Sequence, residues 1–141
     1  MRVLALDLGS RRIGVAVSDF SGTIASPVTV IQRSRSRAED HRRIRQIADD
    51  EEAELIIIGH PITMSGHVGP AASAAEREAI EIEKASGRPV ELFDERLTTV
   101  TADRALKEAD ISATRRRQYV DKVAAAVLLQ TWLDRRKAMG Q

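Results

Sequence analysis

Residues 2–19, Arg2-Val3-Leu4-Ala5-Leu6-Asp7-Leu8-Gly9-Ser10-Arg11-Arg12-Ile13-Gly14-Val15-Ala16-Val17-Ser18-Asp19, read as two apolar strands on either side of a tight turn. The first run, residues 2–7, is almost wholly apolar and ends in an acid. Gly9 and Ser10 mark the turn, and residues 13–18 form the second strand. The next segment, 23–31, is β-branched and alternating and follows the turn signal Ser21-Gly22, which predicts a third strand. Connections this short join antiparallel neighbours, so the three strands form a meander.

Beyond the meander the pattern changes. Residues 37–51 are polar, with Ile44, Ile47 and Ala48 at helical spacing. Residues 54–59 are a continuous apolar run, the mark of a strand covered on both faces. A loop from Gly59 to Pro70 precedes an Ala- and Glu-rich helix over 71–86 that stops at Gly87. Residues 89–93 are a fifth strand. Residues 99–109 read as helical, and a last helix starts between Ser112 and Arg117 and runs to about Lys137. The order β-β-β-α-β-α-β-α-α predicts an α/β fold, a mixed five-stranded sheet with helices on both faces. There is no internal repeat, low-complexity tract or linker, so residues 1–141 are expected to be a single domain.

Composition narrows the function. The chain has 141 residues, 43% hydrophobic and 30% charged, a globular balance. It has no cysteine, which excludes disulfides, thiolate zinc sites and cysteine nucleophiles and makes a reducing cytoplasm the expected compartment. No segment approaches the roughly 20 apolar residues of a membrane span, and the apolar run at the N-terminus is too short for a signal peptide. The net charge is +1, yet 18 of the 22 basic residues are arginine. They cluster at Arg33, Arg35 and Arg37, at Arg42, Arg43 and Arg45, at Arg115, Arg116 and Arg117, and at Arg135, Arg136 and Lys137. Such clusters suit a polyanion such as nucleic acid; equally, they are what solvated helix faces of an arginine-rich chain look like.

Three acids stand out by position. Asp7 closes the first strand, where a carboxylate finds a cation or shifts its pKa, unless it only starts an Asx turn. Asp94 and Glu95 follow the fifth strand, at the edge where open α/β sheets bind ligands; either is a site residue, or both only start the helix that follows. Asp121 shares a helix face with Ala124, Ala125, Leu128 and Trp132, which turns it toward the sheet, unless it is a late N-cap of a helix that begins at Lys122. Three convergent carboxylates are the ligand set for hard divalent cations such as Mg²⁺. Two such ions about 4 Å apart activate water and stabilise the leaving oxygen in phosphodiester hydrolysis.

These blocks carry a family resemblance. Leu6 to Asp19, Gly66-His67-Val68-Gly69-Pro70, Asp94-Glu95-Arg96-Leu97-Thr98-Thr99 and Val120-Asp121-Lys122-Val123-Ala124-Ala125-Ala126 are similar, in the same order, to the motifs of the YqgF/RuvX family. The resemblance spans the chain. It implies an RNase H-like fold related to Holliday junction resolvases, and a nuclease that trims the 5′ end of the 16S ribosomal RNA precursor in the bacterial cytoplasm. Its motifs select Asp7, Glu95 and Asp121 as the catalytic and metal-binding acids, with Mg²⁺ or Mn²⁺ as the cofactor. Arg11, Arg12 and Lys122 adjoin these acids and are the candidates for holding substrate phosphate. The expected partners are pre-16S rRNA or branched DNA, and ribosomal particles, with no membrane. Resolvases act as dimers on two-fold junctions and an RNA trimmer need not, so monomer and homodimer both stay open. The central loop departs from the family's pattern: His60, Thr63 and Ser65 stand where an apolar residue, an amide and an acid are usual, which bears on substrate fit. His60 and His67 lack a third ligand for zinc nearby.

Two other classes compete. A nucleic-acid-binding factor without turnover keeps the arginines and uses the acids structurally. A fragment of a sugar-kinase or actin-like ATPase shares the Asp7-x-Gly9 opening, but those enzymes enclose the nucleotide between two such domains, and no Walker-type lysine loop is present.

Overall fold

A computed structural model describes residues 1–98 and 113–140, and for 113–122 the helical backbone without side chains. The meander is β1 (Val3–Leu8), β2 (Arg12–Ser18) and β3 (Ala25–Gln32). Helix α1 (Arg37–Asp50), strand β4 (Leu55–His60), helix α2 (Pro70–Ser86) and strand β5 (Val90–Asp94) follow. A 3-10 turn spans Glu95–Leu97, and the last helix, α3, spans Ala113–Ala138. The predicted helix over 99–109 lies outside the described residues.

The five strands form one sheet in the order β3-β2-β1-β4-β5. β1 pairs antiparallel with β2 and parallel with β4, and β4 pairs parallel with β5. The expected mixed sheet is present, with β1 at its centre. The third strand starts at Ala25 instead of residue 23. The Asp19 carboxylate accepts the N–H groups of Thr23 (2.7 Å) and Ile24 (3.2 Å), so these donors close a turn instead of joining the ladder. Pro27 is tolerated in β3 because that strand is an edge and the β2–β3 register shifts between Val15 and Ala16.

The central strands read as unbroken apolar runs because both faces are covered. On one face Leu4, Leu6, Val15, Ile56 and Ile58 pack with Ile44 and Ala48 of α1 and Ala79 and Ile82 of α2. On the other, Val3, Ala5, Ala16 and Ile57 pack against Ala125, Leu128, Leu129, Trp132 and Leu133 of α3. Pro70 opens α2 and Gly87, at φ 69°, closes it, a proline-first and glycine-last helix. Among the described residues no helix is long and apolar enough to cross a membrane.

Candidate functional site

Strand alternation assigns each acid to a face. Val3 and Ala5 of β1 face α3, and Leu4 and Leu6 face α1 and α2. Continuing this period of two puts the half-buried Asp7 on the α3 face, at the C-terminal end of β1. In β4, Leu55 and Ile57 face α3, so Gly59 does as well. In β5, Phe93 belongs to the same cluster, and Glu95 follows it by two residues. Leu6 pairs with Ile58 and Gly59 with Phe93; one step past Leu6 and Ile58 stand Asp7 and Gly59. Neighbouring strands lie about 4.8 Å apart.

Gly59 joins these positions. A Cβ on Gly59 would lie 2.7 Å from Oε1 of Glu95 and 2.9 Å from its Cγ. The Glu95 side chain therefore folds back over β4, into space that any residue but glycine would fill, and toward the strand that carries Asp7. Gly59 was not singled out in the sequence; the available signal was a glycine ending an otherwise β-branched buried strand, which marks a close approach.

Glu95 is held by the 3-10 turn. Asp94 caps this turn, its Oδ1 accepting the N–H of Arg96 at 3.0 Å. The Arg96 side chain also returns to Asp94, Nε at 2.9 Å and Nη2 at 2.5 Å from Oδ2. These Arg96 hydrogen bonds hold the Asp94 carboxyl below its ordinary range. Asp94 and Glu95 thus have different tasks: one ties down the turn, the other extends over Gly59.

Helix α3 begins at Ala113, eight residues before Asp121, so Asp121 lies within the helix and is not its N-cap. Ala125, one turn later, is fully buried against the sheet. The side chains of Asp121 and Lys122 lie outside the described residues. Arg11 is exposed in the β1–β2 turn and Arg12 is half-buried at the start of β2. That turn is tight: the Gly9 N–H donates to the Arg12 carbonyl at 2.8 Å, and a Cβ on Gly9 would lie 2.6 Å from that oxygen.

Several arginines have structural work. Arg33 forks onto Glu78, Nη1 to Oε2 at 2.9 Å and Nη2 to Oε1 at 2.8 Å, while its Nε donates to the Gly9 carbonyl at 2.7 Å. His41 Nε2 lies 2.8 Å from Glu78 Oε2. This buried cluster ties α1 and α2 to the turn that follows Asp7. Arg42 pairs with Glu39 and Arg45 with Asp49 along α1. His60 pairs with Glu76 at 3.0 Å.

A family model described as RuvX, Holliday junction resolvase, matches residues 1–135. The chain belongs to the RuvX family. Full-length relatives agree with this. A Thermoanaerobacter pseudethanolicus protein named "Putative pre-16S rRNA nuclease" is 46% identical over 138 residues, covering 97% of this chain and 99% of the relative. A Myxococcus xanthus protein of the same name is 44% identical over 134 residues, 95% of this chain and 88% of the relative. RuvC of T. thermophilus, solved in complex with a Holliday junction substrate, superposes with a TM-score of 0.56 at 15% identity, covering 97% of this chain and 96% of RuvC. At that identity the likeness concerns the fold: this RuvX chain has the RNase H-like architecture that its motifs implied.

Proposed function

We propose that this chain is a metal-dependent nuclease whose single domain, residues 1–141, hydrolyses phosphodiester bonds, and that its substrate is the 5′ region of the 16S rRNA precursor. Asp7, Glu95 and Asp121 are the residues that would hold Mg²⁺ or Mn²⁺. The observation that carries this is the Glu95 carboxylate lying over Gly59, on the sheet face and at the sheet end that Asp7 shares. The donor set fits the cofactor, since carboxylate oxygens are the ligands of hard divalent ions. Helical periodicity adds Asp121, four residues before the buried Ala125.

When bound, such ions supply Lewis-acid stabilisation and a water nucleophile at neutral pH. The protein's own part is positioning. Asp94 and Arg96 fix the turn that presents Glu95. Arg33 and Gly9 fix the turn behind Asp7. Arg11, Arg12 and Lys122 supply cations for the substrate phosphates. The names of the relatives favour pre-16S rRNA, and the family's description adds the branched DNA junction as the substrate to compare.

The test is cleavage of 16S rRNA precursor and of four-way DNA junctions with Mg²⁺ or Mn²⁺. Wild type is expected to cut the precursor, and Asp7→Asn to be inactive. Equal cutting by both proteins would sink the assignment. Binding that survives chelation, with no cleavage under either metal, would favour a non-catalytic binding factor.

A further inference from the structure

On the side of the sheet end away from Glu95, a groove of about 420 Å³ opens between the β1–β2 turn, the β3–α1 connection and α2. Leu8 and Gly9, the residues directly after Asp7, form one wall. We propose that this groove takes an unpaired nucleotide flanking the scissile phosphate, with Arg35 and Arg37 on its phosphate. The proposal rests on the nuclease reading above and adds the substrate class: a strand that is single at this position.

Charge supports it. Of the groove's two acids, Glu78 is ion-paired and Asp40 is hydrogen-bonded through one oxygen. Both oxygens of Glu78 receive the Arg33 fork and one also meets His41. Asp40 Oδ1 accepts the Ser34 N–H at 2.9 Å and its hydroxyl at 2.8 Å. The rim cations are less committed. Arg35 is exposed and in no ion pair among the described residues. Arg37, with its side chain 54% exposed, reaches Glu81 at 3.3 Å and Glu78 at 3.9 Å; surface contacts of that kind exchange readily for a phosphate. A polyanion entering the groove thus meets three arginines against two acids, and Arg33 already neutralises one of those acids.

Shape adds the rest. The opposite wall is small and apolar, from Pro61, Ala71 and Ala74, a surface for a sugar and a base face. A volume of this order holds one small ligand, about one nucleotide. A base pair would bring two nucleotides to a volume that holds about one. Because Leu8 and Gly9 continue directly from Asp7, a strand engaged at Asp7 passes over the sheet end into the groove.

The experiment measures binding of the full chain, without divalent ions, to short labelled RNA and DNA oligonucleotides, unpaired or as blunt duplexes of the same sequence. Wild type is expected to prefer the unpaired strand. Arg35→Ala/Arg37→Ala should weaken that binding about tenfold and flatten its log–log salt dependence by about 1.4, two phosphate contacts at about 0.7 each. Ala74→Trp, which fills the groove at unchanged charge, should weaken unpaired binding as well, and Arg35→Ala alone, which breaks no internal ion pair, should do so severalfold. Preference in RNA, DNA or both supports the groove and names the sugar. Equal wild-type affinity for paired and unpaired strands, or wild-type affinity in correctly folded Arg35→Ala and Ala74→Trp, overturns it. Because no cleavage is read, a chain that binds as described and never cuts would sink the nuclease assignment and leave the groove standing.

Discussion

The carboxylate of Glu95 stands where a side chain on Gly59 would be, with Oε1 2.7 Å from the position of the missing Cβ. The absence of a methyl group on β4 thereby sets the location of an acid carried by the turn after β5.

Gly59→Ala tests this directly. The obstructing atoms are Oε1, Cγ and Cδ of one flexible side chain and no backbone, so the whole Glu95 side chain must swing aside while β4 keeps its path. Displacement of a catalytic group by about 1 Å costs about 10²-fold, and a loss of cleavage of about 10- to 100-fold is expected. The unfolding free energy from urea titration should fall little, by about 1 kcal/mol or less. Undiminished cleavage by Gly59→Ala would remove Glu95 from the site.

Asp94 and Glu95 should separate cleanly. Asp94→Asn loosens the cap and the Arg96 contacts and should lower cleavage about tenfold, the usual cost of losing an orienting partner. Glu95→Gln removes a proposed ion ligand and should cost more than about 100-fold. The reverse ranking, measured as kcat/KM on one substrate, would transfer the ligand role to Asp94.

Glu78 sets an acid limit on stability. Burial raises its pKa, but the hydrogen bonds from Arg33 and His41 outweigh burial, and the net shift is downward from 4.5. Its contribution is therefore fully present above about pH 4.5 and is lost as pH falls through the lower folded value. Glu78→Gln should cost about 3 kcal/mol at neutral pH, the low end for a buried pair, because the part-buried Arg33 loses its counter-charge. It should also unfold with a shallower pH dependence below 4.5. Urea titrations across that range check both.

Metal binding should appear as stability before any cleavage is measured. At ten times its Kd, Mn²⁺ or Mg²⁺ stabilises the folded chain by about 1.4 kcal/mol, or roughly 3–6 °C in Tm. Asp7→Asn and Glu95→Gln should lose most of this increment. Calorimetry showing the same metal response in all three proteins would place the ion elsewhere.

What the sequence determined by itself was whatever depends on near neighbours along the chain. The meander was legible because the runs around Gly9 and Ser10 are apolar and too closely joined to be parallel, and α2 because Gly87 ends it. Asp7 was legible as an acid closing an apolar strand, and Asp121 stood out only by the apolar residues spaced along its helix in sequence. The same pattern would have singled out Glu78, which lies between Ala75, Ala79 and Ile82 on its helix, yet its cation comes from Arg33, 45 residues away. Tertiary structure alone decided that Arg33 braces a turn and that Asp94 caps while Glu95 reaches over Gly59; the start of the last helix at Ala113 falls within the range its sequence implied. Periodicity reports which way a residue points from its own element. Which elements then meet depends on the strand register between β1, β4 and β5, set by packing between segments far apart in the chain, and no local pattern encodes it.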